Sequence, residues 1–214
     1  MSEKVDILAI GAHPDDIELG CGGTLIKEIE MGKKVGLLDL TQGELGTRGN
    51  KEIRKNEAEL SKNEMGAVFR DNLFLDDCFF ENNRDNQIQL ISKIRRYRPE
   101  IIICNAPDDR HIDHQKAAKL VIDACFLSGL KKIKTSLEGN LQDVWRPMNV
   151  YHYIQWKNLE PDFLVEKIQE GIDKKQFLIL PHPEVQNYIE KKSFNYDKWI
   201  SGMARLKQKI EYNK

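Results

Sequence analysis

The chain has 214 residues, 40% of them hydrophobic, which is enough to build the core of one α/β domain. Its 33 basic and 34 acidic residues leave a net charge of −1, so no overall field favours nucleic acid or an anionic membrane as a partner. No apolar run approaches the roughly 20 residues that span a bilayer, no signal segment precedes the first predicted strand, and no Cys-x-x-Cys pair occurs, so we expect a cytoplasmic protein with reduced thiols.

Short apolar runs alternate with amphipathic segments over most of the chain. The apolar runs are bounded by glycine, proline or polar residues, as buried strands of a parallel sheet are. The segments between them place apolar residues at helical spacing. The predicted strands are 5–10, 35–40, 72–75, 100–105 and 149–156, and the predicted helices are 24–31, 51–65, 87–98 and 115–128. This alternation predicts an α/β fold that is Rossmann-like, with a mostly parallel sheet and helices on both faces.

The segment His13-Pro14-Asp15-Asp16 follows the first predicted strand and allows three interpretations. It is a plain turn if proline and aspartate only redirect the chain and cap the next helix. It is a phosphate loop if the glycines after it bind an anion, but they do not match Gly-x-Gly-x-x-Gly, and the acidic residues would repel a phosphate. It is a metal site if His13 and Asp16 bind a divalent cation while Asp15 stays free as a base.

A second polar segment, 109–114 (DRHIDH), follows the fourth predicted strand. Taken alone, it is an ordinary polar loop in which Asp113 caps the next helix. Because parallel strands end at the same edge of a sheet, we expect both polar segments to converge there. His13, Asp16 and His114 would then form a three-ligand zinc site with an open position, of the kind that activates water.

The remaining polar side chains complete a hydrolytic site. Asp15 is the predicted general base. His111 is placed to donate to the oxyanion of a tetrahedral intermediate. Asp113 is expected to orient His111 or to raise its pKa so that it stays protonated, although the charge of a metal ion would oppose that shift. This set of residues suits hydrolysis of an amide or ester by metal-activated water.

Several of these motifs resemble a known family. The segment 12–16 (AHPDD), with Glu18 and 22–24 after it, is similar to the zinc-dependent LmbE-like (PIG-L) N-acetylglucosamine deacetylases. Similarity to the members of that family that serve bacillithiol biosynthesis lies in 41–49, Arg54, 57–58, 109–114, 123–129 and 150–156. The resemblance implies a small-molecule substrate, N-acetylglucosaminyl malate, which is hydrolysed to glucosaminyl malate and acetate. It also implies a homo-oligomer.

The same resemblance assigns roles to individual residues. The ligands of zinc, or of another divalent ion such as Fe²⁺, are expected to be His13, Asp16 and His114. The expected catalytic residues are Asp15 as general base, His111 as transition-state donor or acid toward the leaving amine, and Asp113 as the residue that tunes His111. Arg54 and Arg110 are the candidate substrate contacts, because the two carboxylates of a malyl group suit bidentate guanidinium binding.

The family pattern covers residues 5–165, so we assign 1–165 to a catalytic domain. Residues 166–214 depart from the pattern, and we expect an atypical, mainly helical tail packed on the same domain. The family's active-site tyrosine has no clear counterpart in it. The tail weakly resembles the end of short-chain dehydrogenases, but the Gly-x-x-x-Gly-x-Gly turn of those enzymes is absent. The alternatives are a deacetylase of another N-acetyl amino sugar or thiol conjugate, and a metal-binding module made inactive by its altered tail.

Overall fold

The computed structural model describes residues 4–47, 50–157, 159–162 and 165. The strands are β1 (Ile7–Gly11), β2 (Val35–Thr41), β3 (Phe69–Leu75), β4 (Ile101–Asn105), β5 (Ser136–Leu137), β6 (Asn140–Leu141) and β7 (Asn149–Tyr153). The helices are α1 (Asp16–Glu30), α2 (Lys51–Met65), α3 (Arg84–Tyr97) and α4 (Ile112–Ser128). Five strands form one parallel sheet in the order β3-β2-β1-β4-β7, and β5 pairs with β6 in a hairpin. The α/β fold with a parallel sheet is therefore confirmed.

Strand β1 lies at the centre of the sheet, between β2 and β4. Ile7 pairs with Val35 on one side and with Ile101 on the other. The chain adds β2 and β3 outward in one direction and then returns to add β4 and β7 in the other. Such a reversal opens a crevice at the carboxyl ends of the two central strands, where open α/β sheets bind ligands.

Alternate side chains of β1 enter two cores on opposite faces of the sheet. Leu8 and Ile10 pack in the core that α3 and α4 cover, whereas Ile7 and Ala9 pack in the core that α1 and α2 cover. Both faces are therefore apolar, which explains why the central strands are continuous apolar runs rather than alternating ones. Helices cover both faces of the sheet, as the sequence predicted.

Helix α1 begins at Asp16, eight residues before the predicted start at position 24. The glycines that suggested a loop lie inside the helix. Gly20 is required there because a Cβ at this position would lie 2.2 Å from Cδ2 of the Tyr153 ring. Buried side chains at helical spacing, Ile17, Cys21 and Leu25, hold the helix on the sheet. The glycine therefore permits close helix–sheet packing, and the helix places Asp16 in its first turn.

Other boundaries differ by a few residues, because helix caps and strand pairing, rather than the apolar runs alone, set where an element begins and ends. α3 and α4 each begin three residues early, β3 begins at Phe69, and β7 ends at Tyr153. The four cysteines are free thiols, three of them buried. Within the described part of the chain, each helix is too short or too polar to traverse a bilayer. The predicted tail, 166–214, lies outside the described residues.

Replacing Gly20 with alanine should destabilise the fold, although alanine favours helices more than glycine does. The added methyl group would meet the Tyr153 ring, and overpacking of this kind costs about 1–3 kcal/mol. We expect a lower denaturant midpoint in urea unfolding. The same substitution in a Tyr153→Ala background, which removes the ring that the methyl group would meet, is the matched control and should cost much less. An equal loss of stability in both backgrounds would contradict the packing role of Gly20.

Candidate active site

Three imidazoles meet at the carboxyl ends of β1 and β4. His13 follows β1, His111 is the N-cap residue of α4, and His114 lies in the first turn of α4. The ring centroids are 4.8 Å apart for His13 and His111, 5.6 Å for His13 and His114, and 4.9 Å for His111 and His114. A nitrogen of each ring lies within 4.8 Å of the others, a separation that permits a shared cation. The two polar segments therefore converge.

The carboxylate of Asp16 lies between two of these rings. Its Oδ2 is 3.3 Å from His13 Nδ1, and its Oδ1 is 3.1 Å from His114 Nε2. Burial opposes ionisation of Asp16, but hydrogen bonds from His114 and His13 outweigh that effect and hold its pKa below the usual range. Two nitrogens and a carboxylate thus face one another at the end of β1.

The site favours positive charge. Burial alone would lower the pKa of His13, but the carboxylates of Asp16, Asp77 and Asp113 raise it to about 9. His13 Nε2 lies 3.2 Å from both Asp77 Oδ1 and Asp113 Oδ2. The pKa of His114 is likewise raised, because its contact with Asp16 outweighs burial. A divalent cation would benefit from the same negative surroundings as these protons do.

The ring of His114 is oriented as a metal ligand requires. Its Nε2 faces Asp16, and its buried Nδ1, which makes no hydrogen bond among the described residues, lies 3.2 Å from Asp109 Oδ1. Asp109 is itself held by the backbone N–H of His111, which donates to Oδ1 at 3.0 Å. A carboxylate behind the outer nitrogen of an imidazole is the usual arrangement around protein-bound metals. The residues present therefore fit a metal ion.

Asp15 is left free of helix capping. It occupies the N-cap position of α1, yet its side chain accepts no hydrogen bond from the helix, and it is exposed. Although the residue is exposed, neighbouring atoms displace water from its carboxylate, and this desolvation, together with the negative charge of Asp16, raises its pKa to about 6. The positive charge of Arg54 opposes the shift. The plain-turn interpretation predicted that this carboxylate caps the next helix, but in the structure it makes no capping hydrogen bond.

Asp113 is arranged differently from the expectation. Asp113 contacts His111 through its backbone N–H, which donates to His111 Nδ1 at 3.3 Å. The carboxylate instead contacts His13 and accepts the backbone N–H of Cys78 at 2.9 Å. Because His111 Nδ1 accepts a hydrogen bond, its neutral tautomer carries the proton on Nε2 and remains a donor.

The charge of Asp113 raises the pKa of His111, but other effects act on the same ring. The pKa of His111 is lowered, first by burial and then by the charges of His13 and His114, and these outweigh the opposing charge of Asp113. Donation by His111 therefore depends on its neutral tautomer rather than on the imidazolium.

The two predicted substrate contacts lie on different parts of the site. Arg54 is half-buried in α2, and its guanidinium passes under the loop after β2: a Cβ at Gly43 or Gly46 would lie 2.3 Å or 2.8 Å from its terminal nitrogens. Arg110 is exposed, with its guanidinium over the ring of Trp156 at 4.6 Å from the centroid. Arg54 thus acts electrostatically on Asp15, and Arg110 lies at the rim. Residues 48–49 of this loop are outside the described residues.

Among the described residues, four further side chains contact Asp16 or the imidazoles of this site, and sequence analysis did not single them out. They are Asp77, Asn105, Asp109 and Gln155. Each follows or ends a strand of the parallel sheet, and that position was the signal available in the sequence.

A buried ion pair network supports the first turn of α1. Arg70 of β3 donates from Nε and Nη2 to Asp39 of β2 at 2.7 and 2.8 Å, and it also pairs with Glu18 of α1. Burial raises the pKa of Asp39 to about 6 despite the opposing charge of Arg70. The network joins two strands to the turn that carries Asp16.

Comparison with known proteins gives matches over the part of the chain that contains the site. The model of the PIG-L family, described as GlcNAc-PI de-N-acetylase, matches residues 8–125, more than half of the chain. A diacetylchitobiose deacetylase of Thermococcus kodakarensis is 31% identical over 140 residues, which are 61% of this chain and 52% of that protein. The chain therefore spans about half the length of this curated relative.

Two solved structures share the fold. The conserved protein TT1542 of Thermus thermophilus superposes with a TM-score of 0.70 at 36% identity, over 76% of this chain and 72% of that one. An N,N'-diacetylchitobiose deacetylase of Pyrococcus horikoshii gives a TM-score of 0.69 at 22% identity, over 94% and 74%. The second likeness shows the fold alone. From the match over residues 8–125, which includes all three histidines of the site, the chain belongs to the PIG-L family.

Proposed function

We propose that this chain is a metal-dependent N-deacetylase that hydrolyses the acetamide of an N-acetylated amino sugar. The observation that carries the proposal is the Asp16 carboxylate between His13 and His114, beside the exposed and uncapped carboxylate of Asp15. Family membership and the name of the T. kodakarensis relative support the same reaction. The specific substrate that we propose is N-acetylglucosaminyl malate, as in bacillithiol biosynthesis.

The proposed metal ligands are His13, Asp16 and His114. Two imidazole nitrogens and a carboxylate suit zinc and leave a position open, and other divalent ions such as Fe²⁺ accept similar ligands. A metal ion bound in such a site supplies an activated water and polarises the substrate carbonyl. His111 is a neighbour of these ligands rather than one of them, since its Nδ1 accepts the Asp113 backbone N–H.

Asp15 is the proposed general base. It takes a proton from the water that attacks the acetamide carbon, because its carboxylate is exposed at the site and does not cap α1. His111, through its Nε2–H, donates to the oxyanion that forms on the carbonyl oxygen. When this intermediate collapses, the C–N bond breaks, the acetyl group leaves as acetate, and the proton taken up by Asp15 passes to the amine of the sugar. Asp113 holds His111 by its backbone N–H and His13 by its carboxylate, so it positions a catalytic residue and a ligand together.

The substrate contacts that we propose are Arg54 and Arg110. Arg110 stacks on Trp156 at the exposed rim, where a guanidinium is free to bind a carboxylate of the substrate in bidentate geometry. A malyl group carries two such carboxylates, whereas a neutral disaccharide carries none. The remaining proposals are a cytoplasmic location, a homo-oligomer and a catalytic domain that spans residues 1–165.

The proposal is tested by acetate release from three substrates. The purified protein with added zinc should release acetate from N-acetylglucosaminyl malate faster than from N,N'-diacetylchitobiose or N-acetylglucosamine. Dialysis against a chelator should abolish the release, and zinc should restore it, because the water is activated only when the metal is bound. Faster release from diacetylchitobiose would assign the activity to another N-acetyl sugar. Zinc binding without acetate release from any of them would favour the metal-binding module.

Asp15→Asn should retain the metal and lose most of the activity. The amide cannot accept a proton, and loss of a general base typically costs about 10²–10⁴-fold in kcat. Metal content per chain after gel filtration and kcat for acetate release are the two measurements. A variant that loses its metal together with its activity would show that Asp15 is a ligand.

The two histidines of α4 should behave differently. His114→Ala removes a ligand, so we expect little zinc to remain after dialysis. His111→Ala removes only a donor to the oxyanion, so zinc should stay while kcat falls about 10²–10³-fold. Zinc content of the two variants, measured side by side, checks the assignment, and the reverse pattern would exchange their roles.

A further inference from the structure

Asp16 is held from two directions. Two imidazoles form one pair of contacts with its carboxylate: His13 Nδ1 lies 3.3 Å from Oδ2, and His114 Nε2 lies 3.1 Å from Oδ1. Side-chain amides supply the other pair: Gln155 Nε2 donates to Oδ1 at 2.8 Å, and Asn105 Nδ2 donates to Oδ2 at 3.3 Å. The backbone N–H of His13 also donates to Oδ2, at 3.0 Å. Each carboxylate oxygen therefore has one side-chain amide donor and one imidazole neighbour, and Oδ2 has a backbone donor as well.

The orientation of the Asn105 amide is determined by a third contact. Its Oδ1 accepts the backbone N–H of Ala12 at 3.0 Å. The oxygen side of the amide is thereby occupied, and the NH₂ group must face Asp16 and Gln155 Oε1, which lies 3.5 Å from it. Asn105 is fully buried, so the fold fixes this donor before any ligand binds.

Gln155 reaches the site through strand pairing. Asn105 is the last residue of β4 and pairs with Tyr153, the last residue of β7. Gln155, two residues later, continues along the same sheet edge and contacts a carboxylate 139 positions earlier in the chain. It lies outside the segment 8–125 that the family model matches, so family membership assigns it no role.

We propose that Asn105 and Gln155 are positioning residues that hold both oxygens of Asp16 toward a divalent cation shared with His13 and His114. The inference rests on the metal site of the proposed function. Neutral amides suit this task, because they fix the direction of the carboxylate without cancelling its charge, as a lysine or arginine would. Hydrogen-bond partners that orient a ligand typically contribute about 10–100-fold to metal affinity.

The test uses the full chain with Gln155→Met, which keeps the side-chain length and removes the amide donor. Competition with a chromophoric chelator should show zinc affinity about 10–100-fold lower than in the unchanged protein. The visible spectrum of the cobalt(II)-loaded variant should also change, since it reports the arrangement of ligands. Gln155 is only half-buried, so the melting temperature of the metal-free variant should change little.

Gln142→Met is the matched control. Gln142 is also half-buried and bonds to Ser92 through both ends of its amide, at 3.0 Å each. It follows the hairpin strand β6 and lies next to α3, and its amide bonds to Ser92 rather than to Asp16. We expect this variant, like Gln155→Met, to change the melting temperature little, and to leave the zinc affinity and the cobalt spectrum unchanged. A general effect of losing a half-buried amide would instead appear in both variants.

The outcomes separate this inference from the proposed function. If the unchanged protein binds no zinc, the metal site itself is wrong, and the inference fails with it. If it binds zinc and Gln155→Met binds equally tightly with the same cobalt spectrum, only the inference is wrong. If Gln155→Met does not fold, Gln155→Ala repeats the measurement, and failure of both variants to fold would show that Gln155 supports the fold instead.

Discussion

The contact on which the site depends is the placement of the Asp16 carboxylate between His13 and His114. Asp16 and His13 belong to the first strand–helix unit, and His114 belongs to the helix after β4. The carboxylate therefore joins the two central units of the sheet at the point where strand order reverses. Its burial would be costly without partners, and the two imidazoles, the two side-chain amides and the backbone N–H of His13 supply them.

The balance of charge explains why such a site favours a cation. Four buried carboxylates, Asp16, Asp77, Asp109 and Asp113, lie against the imidazoles of His13 and His114. Buried charges are retained where they are paired or coordinate a metal. Lys116 pairs with Asp113, and a divalent ion bound as proposed would compensate the remaining excess of acids over imidazoles. The ion pair network of Arg70 with Glu18 and Asp39 then keeps the first turn of α1 attached to the neighbouring strands.

Reaction and substrate depend on different parts of the molecule. The residues that would bind metal and move protons lie on the ends of buried strands and the first turns of helices, where packing fixes them. Arg110, Trp156 and the loop that covers Arg54 lie toward the solvent, and they are the groups that would distinguish one N-acetylated sugar from another. A shared fold alone does not determine the reaction, so the proposed substrate rests on these outer residues rather than on the fold.

The sequence by itself determined the fold class and the two polar segments that meet. Apolar runs of strand length alternate with helical periodicity, and parallel strands bring their carboxyl ends to one edge, so the convergence of residues 13–16 and 109–114 followed from local patterns. The early start of α1 did not follow, because Gly20 lies against the ring of Tyr153, a residue far along the chain, and local pattern gives no sign of that contact. The tertiary structure also decided that Asp113 faces His13 and that Gln155 holds Asp16. These contacts join distant parts of the chain, and only strand order and register bring them together.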